Sequence, residues 1–484
     1  EDLGLDRIQT AAESLASRKL PMDIEQIPDT YLGGDAVLDD LYERSQDLKQ
    51  ETLFAELFFN TDKKNQLSMV VHTLELLIKE QRSIFKSQMP NLQSAIVDLL
   101  SIRLEKLQDI CWCLKKEILE NITSIEALSP GLQTSGNPEG LTVFKRINAI
   151  LNSIDRLEVR GRDSAGISVL FSFTKEAFEH YREGLIKAGL SDRLKQRTNH
   201  PVLKNNSVTI SDTYPETGEH LVSIAIVYKF AAEIGALGDN IAFIRSQIKN
   251  DLMLTLLVSY PFITHSVSAH TRWASIGDIS VANCHPQDNT PTDREIGKTG
   301  IIHVCLNGDI DNYLELKTEY EARYDKIHKE INTDTKLIPL QIEHHLKHGH
   351  AVEEAFRLAV NDFDGSHAIS MHTDLAPGKL FLAQKGSGQA IFVGIAKDHY
   401  IAASELYGIV EETSDYIKLN GEDKGQIVVL DQHSSGGIDG IRSFYYDQTP
   451  IELSSDHILT SQITSRDIDR QNFPHYFLKE ISES

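Results

Sequence analysis

The sequence predicts an α+β protein in which layered antiparallel sheets follow an N-terminal α-helical bundle. Glycine usage is the first observation behind that expectation. Of 29 glycines only Gly4, Gly33 and Gly34 precede residue 131, and glycine is costly inside helices, so its scarcity suits a region of long helices. The second is a change of period. Ile96, Leu99, Leu100, Leu107, Ile110, Leu114 and Ile118 recur at three- and four-residue steps, whereas Ile167, Val169, Phe171 and Phe173 alternate with small or polar residues. The first spacing marks one face of a helix and the second one face of a strand. The third is the crowding of short strand-like runs after residue 360, with hairpin-length gaps between them. Such gaps favour antiparallel pairing.

Taken in order, helices are expected over 35–59, over 66–88 and, as one continuous stripe, over 91–128. The second ends ahead of Pro90, because a residue before proline is pushed out of the helical region. These form a bundle of antiparallel neighbours assigned to residues 1–140. Turn formers from Ser129-Pro130-Gly131 to Asn137-Pro138-Glu139-Gly140 make a connection. The second domain, 141–484, opens with a helix over 141–157 and a strand over 167–173. Further strands are expected at 221–228, 301–306, 367–371, 379–384, 390–394, 399–403 and 426–430. Helices are expected at 231–250, 313–328, 335–347 and 352–358.

Composition excludes several functions. With 48 Lys plus Arg against 71 Asp plus Glu among 484 residues, the formal charge is −23. A chain that acidic repels phosphate backbones, and no basic patch offsets it, so no nucleic-acid partner is expected. The longest apolar runs, 252–258 and 221–228, are too short to span a bilayer, so no membrane role is expected. Glu1-Asp2-Leu3-Gly4 has neither the basic start nor the apolar run of a secretory signal. Four cysteines cannot scaffold this much protein, and a reducing, cytoplasmic setting follows.

Four short segments could carry chemistry. Arg160-Gly161-Arg162-Asp163-Ser164-Ala165-Gly166 lies between a helix and a strand, and on its own is a polar turn. In His270-Thr271-Arg272-Trp273-Ala274-Ser275-Ile276-Gly277 the arginine fork could hold a carboxylate while the tryptophan screens the pair from water; a plain loop with Trp273 packed is the commoner outcome. Asn307-Gly308 is first a tight-turn signal. It also sets a side-chain amide beside a backbone N–H, two donors for a developing oxyanion. Losing one such donor typically costs about 2.7–4 kcal/mol of transition-state stabilisation. Asn332-Thr333-Asp334-Thr335 precedes a helical run, where capping is sufficient explanation, although a carboxylate there could also pair with an ammonium. Together, Arg272 for a carboxylate, Asp334 for an ammonium and Asn307 with Gly308 for an oxyanion suit an α-amino acid attacked at its side-chain carbonyl. Glutamine fits that description.

In these segments the sequence resembles the N-terminal-nucleophile (class II) glutamine amidotransferases, most closely the glutaminase half of the glutamine–fructose-6-phosphate aminotransferase (isomerising) or glucosamine-6-phosphate synthase family. Arg160–Gly166, His270–Ala274, Asn283-Cys284-His285-Pro286, Asn307-Gly308 and Thr333-Asp334-Thr335 match the family's motifs in order. Ser404-Glu405-Leu406 resembles its later core, and His475-Tyr476 with Lys479-Glu480-Ile481 its linker to an isomerase half. The resemblance covers roughly residues 141–484 and implies a four-layer αββα sandwich of antiparallel sheets. It implies that Arg272 binds the glutamine α-carboxylate and Asp334 the α-ammonium. Asn307 and Gly308 would form the oxyanion hole, Arg160 and Gly161 would border the nucleophile, and Trp273 to Gly277 would close over glutamine. Ser275 stands where the family usually has threonine, and Ile276 where it usually has histidine. Glutamine would be hydrolysed to glutamate, with the ammonia used to make glucosamine 6-phosphate; no cofactor or metal is implied. The implied partners are glutamine, an isomerase domain with fructose 6-phosphate, and further copies of the chain in a homo-oligomer.

The family's nucleophile is an N-terminal cysteine whose own amine serves as base. Residue 1 here is Glu1, and the cysteines are Cys111, Cys113, Cys284 and Cys305. Cys111 and Cys113, two apart on a helix, face different ways and are expected to pack; Cys284 and Cys305 fall where the family does not attack. Two arrangements account for the difference. In one, a cysteine-bearing strand lies upstream of Glu1 and the bundle is inserted between it and the 141–157 helix. In the other, the domain lacks its nucleophile and is a glutamine-binding or interaction module; separately, an amidotransferase domain of this kind could feed another acceptor. The first is the expectation carried forward. His344, His345, His348 and His350 share a helical segment but lack a further ligand at metal spacing, so a solvated face is expected.

Overall fold

The computed structural model describes residues 4–17, 30–88, 92–158, 161–198, 200–215, 218–232 and 238–469. The chain divides into two compact units, residues 1–142 with 464–484, and residues 143–463. The second unit therefore ends at Ile463 rather than running on to 484 as the sequence reading had it, and the described residues 464–469 pack on the first.

In the first unit α1 (Leu5–Ser17), α2 (Asp35–Asp47), α3 (Glu51–Phe59), α4 (Thr61–Gln88), α5 (Ser94–Trp112) and α6 (Asn121–Leu128) form the bundle. The helix expected over 35–59 is broken into α2 and α3, and α1 has no counterpart in the sequence reading. The stripe read over 91–128 is continuous but changes pitch, because a π-helical stretch, Cys113–Glu120, joins α5 to α6. Leu100, Leu107, Ile110, Leu114 and Ile118 of that stripe are buried, as are Leu67, Leu74 and Leu77 of α4. Cys111 and Cys113 are buried free thiols, and burial pushes the Cys111 thiol up to about 12. The C-terminal segment belongs here because its polar groups find partners on α5. Trp112 Nε1 donates to Ser465 Oγ at 2.8 Å and Arg466 Nε to Asp109 Oδ1 at 2.6 Å.

The second unit is a layered α+β sandwich. It opens on α7 (Pro138–Leu157), which starts in the first unit, and continues with β1 (Ser164–Thr174), α8 (Lys175–Lys187), β2 (Ser207–Thr213), β3 (Leu221–Ala231), α9 (Asp239–Lys249), α10 (Leu252–Leu257) and β4 (Thr264–Arg272). Then come β5 (Gln287–Asp288), β6 (Ile302–Gly308), α11 (Tyr313–Arg323), α12 (Leu337–Lys347), α13 (Val352–Asn361), β7 (His367–Thr373) and β8 (Lys379–Lys385). β9 (Phe392–Ile395), β10 (Tyr400–Ala403), β11 (Asp415–Lys418), β12 (Gln426–Asp431), β13 (Ile441–Tyr445), β14 (Pro450–Ile451) and β15 (Leu459–Thr460) complete it.

Three sheets result, in the orders β2-β3-β1-β4, β10-β9-β11-β15 and β14-β13-β12-β8-β7-β6-β5. Every pairing described is antiparallel. α8 and α9 cover β1 and β3, β4 lies against β6 and β7 of the seven-stranded sheet, and α12 packs on β6. That makes the αββα layering. Ile338 and Ile342 of α12, Val352 and Phe356 of α13, and Ile302, Val304 and Phe381 of the sheet share one core. The layer between the two sheets is unusually polar: Ser168 Oγ lies 2.7 Å from His303 Nδ1 and 3.2 Å from His372 Nε2, and Ser266 Oγ 2.8 Å from His372 Nδ1. Burial holds all these imidazoles below their usual range, hence neutral.

Three further expectations need correction. The helix read over 231–250 begins only at Asp239, after β3 has run on to Ala231. No strand is expected between 228 and 301 from the sequence, whereas Thr264–Arg272 is one. The helix read over 313–328 stops at Arg323.

Candidate active site

β4, β6 and the turn before α12 converge on one cavity of about 680 Å³, whose lining includes Arg272, Trp273, Ser275, Asn307, Gly308 and Asp334. Arg272 ends β4 and is buried. Its Nη1 donates to Asp278 O at 3.1 Å, and its Nη2 donates to Ile276 O and, at 3.5 Å, to Gly277 O. Ile276 thus serves Arg272 through its carbonyl, a contact indifferent to its side chain. Among the described residues no carboxylate lies within ion-pair distance of Arg272. Burial lowers its pKa, and the nearby charges of Asp334 and Asp163 partly offset that; an arginine stays charged regardless.

Asp334 lies in a turn, Asp334–Lys336, that leads into α12. Its Oδ2 accepts from Ile310 N at 2.9 Å and its Oδ1 from Thr335 N at 2.8 Å and Thr333 Oγ1 at 3.2 Å. Burial raises this carboxyl above its ordinary value, and those donors hold back only part of the rise. Among the described residues no cation pairs with it, and a buried carboxylate so placed suits a cationic guest.

Asn307 and Gly308 close β6. Gly308 has φ +105°, and a Cβ there would stand 2.2 Å from Ser366 O, so only glycine brings the backbone to this position. Ser275 Oγ donates to Asp309 Oδ1 at 2.6 Å, and Trp273 is 73% exposed. The Trp273–Gly277 loop therefore stands with its aromatic ring in solvent while its hydroxyl is tied to the end of β6. Gly161 does not line the cavity. It packs behind it, where a Cβ would come within 2.6 Å of Thr271 O. Arg160 lies outside the described residues, as does the segment 475–481.

Sequence reasoning placed no role on Asn283, although it noted the Asn-x-His-Pro turn. Asn283 is fully buried and staples the arginine loop to the aspartate turn. Its Nδ2 donates to Asp278 O at 3.2 Å and Asn332 Oδ1 at 2.5 Å; its Oδ1 accepts from Asn332 N at 2.9 Å and Thr333 N at 3.3 Å. His285 adds a second tie, Nε2 to Thr335 Oγ1 at 2.9 Å. Asp163 supports the loop from the other side, accepting from Ala274 N at 2.8 Å. The arrangement can hold a zwitterion between Arg272 and Asp334 and offer donors from Asn307 and Gly308.

Of the cysteines, Cys305 lines the cavity. Burial pushes its thiol up to about 12, and Ser268 Oγ lies 3.6 Å away, so it is held as a neutral thiol, a poor nucleophile. The histidines of α12 already have partners: His344 Nδ1 meets Tyr324 OH at 2.6 Å and His345 Nε2 meets Asp362 Oδ2 at 2.9 Å. Among the described residues no group of side chains is placed to hold a metal ion, and no helix is long and apolar enough to cross a membrane.

Residues 286–411 match the family model described as a glutamine amidotransferase domain. The chain is 29% identical over 219 residues to the glutamine--fructose-6-phosphate aminotransferase [isomerizing] of Bacillus subtilis (strain 168), a match covering 44% of this chain and 32% of that protein. It is 31% identical over 215 residues to the protein of that name from Methanothermobacter thermautotrophicus, with the same coverage. The chain thus spans about a third of the length of the curated relatives it matches. Among solved structures it aligns with the allosteric regulatory enzyme of purine biosynthesis at 13% identity and a TM-score of 0.36, over 62% of this chain and 46% of that one. The glutamine phosphoribosylpyrophosphate amidotransferase from B. subtilis aligns at 13% and 0.33, over 59% and 50%. The chain carries a glutamine amidotransferase domain, similar over its matched part to that of the glutamine--fructose-6-phosphate aminotransferases.

Proposed function

We propose that this chain binds glutamine between Arg272 and Asp334 and forms the glutaminase part of a glutamine–fructose-6-phosphate aminotransferase. The observation that carries the reading is that Arg272, Asp334, Asn307 and Gly308 open onto one cavity. Arg272 would take the α-carboxylate through its fork and Asp334 the α-ammonium. A thiolate would attack the side-chain amide carbonyl, the C–N bond would break with a proton passed to the leaving nitrogen, and ammonia would depart. Asn307 Nδ2 and Gly308 N–H would hold the oxyanion of the tetrahedral intermediate. Water would then hydrolyse the glutamyl thioester to glutamate and restore the thiol. None of the described cysteines suits the attack, and the thiol is assigned to a cysteine ahead of Glu1. Delivery of the ammonia to fructose 6-phosphate on an isomerase half, and homo-oligomerisation, belong to the same proposal and draw on the similarity to the curated relatives.

Calorimetry with glutamine on this chain is the direct test. Saturable binding that Arg272→Ala abolishes supports the reading, and no binding at all ends it in favour of an interaction role. In a longer protein carrying the thiol, glutamate release should disappear in Asn307→Ala while glutamine still binds. Binding without release in the parent protein would mark a glutamine-binding module.

A further inference from the structure

The helical bundle carries a polar face whose side chains converge on two residues far away in sequence. Asp109 and Trp112 belong to the end of α5, and Glu117 to the π-helical stretch Cys113–Glu120. Residues five apart on an α-helix point about 140° away from each other, so α-helical pitch would turn Trp112 and Glu117 to different faces. A π-helical turn pairs residue i with i+5 and stacks their side chains; such turns are rare and are found mostly at functional sites. Here both side chains meet one hydroxyl. Trp112 Nε1 donates to Ser465 Oγ at 2.8 Å, and Ser465 Oγ donates to Glu117 Oε1. The other oxygen of Glu117 lies 2.5 Å from Lys49 Nζ. One turn earlier, Asp109 Oδ1 accepts from Arg466 Nε at 2.6 Å, and Gln108 Oε1 accepts from Arg466 Nη1 at 3.5 Å. Burial raises the Asp109 carboxyl, and Arg466 offsets only part of the rise.

The occupant matches this face. Ser465–Ile468 is a single helical turn with its own capping box, in which Asp467 Oδ2 accepts from Thr464 N at 2.8 Å and from Thr464 Oγ1 at 2.9 Å. The box fixes the turn from within, while Ser465 and Arg466 reach the bundle. Ser465 is buried. A small buried group that must accept from an indole N–H and donate to a carboxylate is a hydroxyl, and a buried carboxylate beside it calls for a cation.

We infer that this face is a peptide-recognition site, selecting a small hydroxyl residue followed by arginine, and that the bundle serves to clasp the polypeptide where it leaves the second unit. That unit ends at Ile463, so the hydroxyl and the guanidinium read by the face are the second and third residues beyond it. The occupant is this chain's own Thr464–Asp469, and the inference stands whatever the second unit binds.

The test uses the whole chain. Ser465→Ala and Arg466→Ala should each speed hydrogen exchange at residues 464–469 about tenfold or more, while exchange in α4 stays as it was. Fluorescence anisotropy then follows a labelled peptide with the sequence of residues 461–469. The peptide should bind a chain carrying both substitutions, whose face is empty, at least about tenfold more tightly than the unchanged chain, whose face is filled. The same peptide with alanine in place of its arginine should bind neither. Asp109→Asn and Trp112→Phe, each added to the doubly substituted chain, should weaken the peptide about tenfold or more; Asp109→Asn keeps the test open should Trp112→Phe disturb the bundle. Unchanged exchange in both single variants, equal binding of the peptide to both chains or to neither, or binding indifferent to Asp109 overturns the clasp. Protection of 464–469 that rises with protein concentration would seat the segment of a second copy on the face and overturn the assigned occupant.

Discussion

Two kinds of buried charge lie within a few residues of each other in this domain. Lys336 Nζ reaches Asp288 Oδ1 at 2.7 Å and the carbonyls of Asp288 and Thr290 at 2.5 and 3.2 Å. Arg197 and Asp251 are likewise 2.7 Å apart, with Tyr228 OH donating to Asp251 Oδ2 at 2.8 Å. Burial alone would raise Asp288 and Asp251, yet the adjacent cations hold both below their ordinary value. Two residues before Lys336, Asp334 is as deeply buried and has only N–H and O–H donors, and it moves the other way. Arg272 mirrors it on the cationic side, donating only to carbonyls of its own loop. Completed pairs are structural. The two incomplete halves face one cavity, and the proposed zwitterion would complete them.

The comparison is broken most forcefully at Lys336. Lys336→Met leaves Asp288 buried without its cation and should cost about 3–5 kcal/mol of stability, read by denaturant unfolding. Arg272→Met should lower stability by only about 1–2 kcal/mol, since it loses carbonyl contacts. Its effect should fall instead on glutamine affinity, about 30-fold or more, the smaller end of what losing a buried charged partner costs. An Arg272→Met protein as unstable as Lys336→Met would place Arg272 among the structural charges and dissolve the distinction.

Gly308 and Asn283 sharpen it at the level of geometry. Gly308→Ala meets Ser366 O and a left-handed φ, so it should destabilise by about 1–3 kcal/mol. It should also move the oxyanion donor, costing about 10²–10³ in kcat in a thiol-bearing protein. Asn283→Ala removes the staple without touching either charged half. Glutamine affinity should drop about tenfold, and exchange should speed up at residues 276–278 and 332–333 together; faster exchange in only one of the two segments would show that they are held independently.

The candidates that line the cavity were legible because each sits in a short stretch whose local chemistry is unusual. Arg272 next to Trp273, the Asn307-Gly308 pair and the Asp334 turn were each readable from a few neighbours. The α+β class with layered antiparallel sheets followed from period and hairpin spacing, whereas the four-layer αββα order was implied by the resemblance alone. What was not legible depends on distance. Asn283 and Asn332 are 49 residues apart, and no local pattern announces the two hydrogen bonds between them. β4 escaped because Thr264-His265-Ser266-Val267-Ser268-Ala269-His270 has polar residues on the face that meets His303 and His372, so its alternation lacks an apolar phase. The π-helical stretch at Cys113–Glu120 likewise leaves the apolar stripe intact and shifts only the backbone pairing.

The smallest effect separates the two kinds of carboxylate by pH. Asp334 is raised in the fold, so the folded state holds its proton more tightly than the unfolded chain does. This group therefore favours folding as pH falls through its folded pKa, and acid cannot weaken glutamine binding by unfolding the protein through it. Asp288 is depressed, so its stabilisation is fully present above the unfolded value near 3.9 and is lost only as pH falls through the lower folded one. Glutamine keeps its ammonium throughout, so its affinity should fall up to about tenfold per pH unit below the raised pKa of Asp334. Calorimetry from neutral pH down into the ordinary carboxylate range, beside thermal melts over the same range, reads both curves. Binding should weaken where stability has not yet begun to fall, with proton release on binding that Asp334→Asn removes. Loss of both at the same pH would show that Asp334, like Asp288, serves the fold alone.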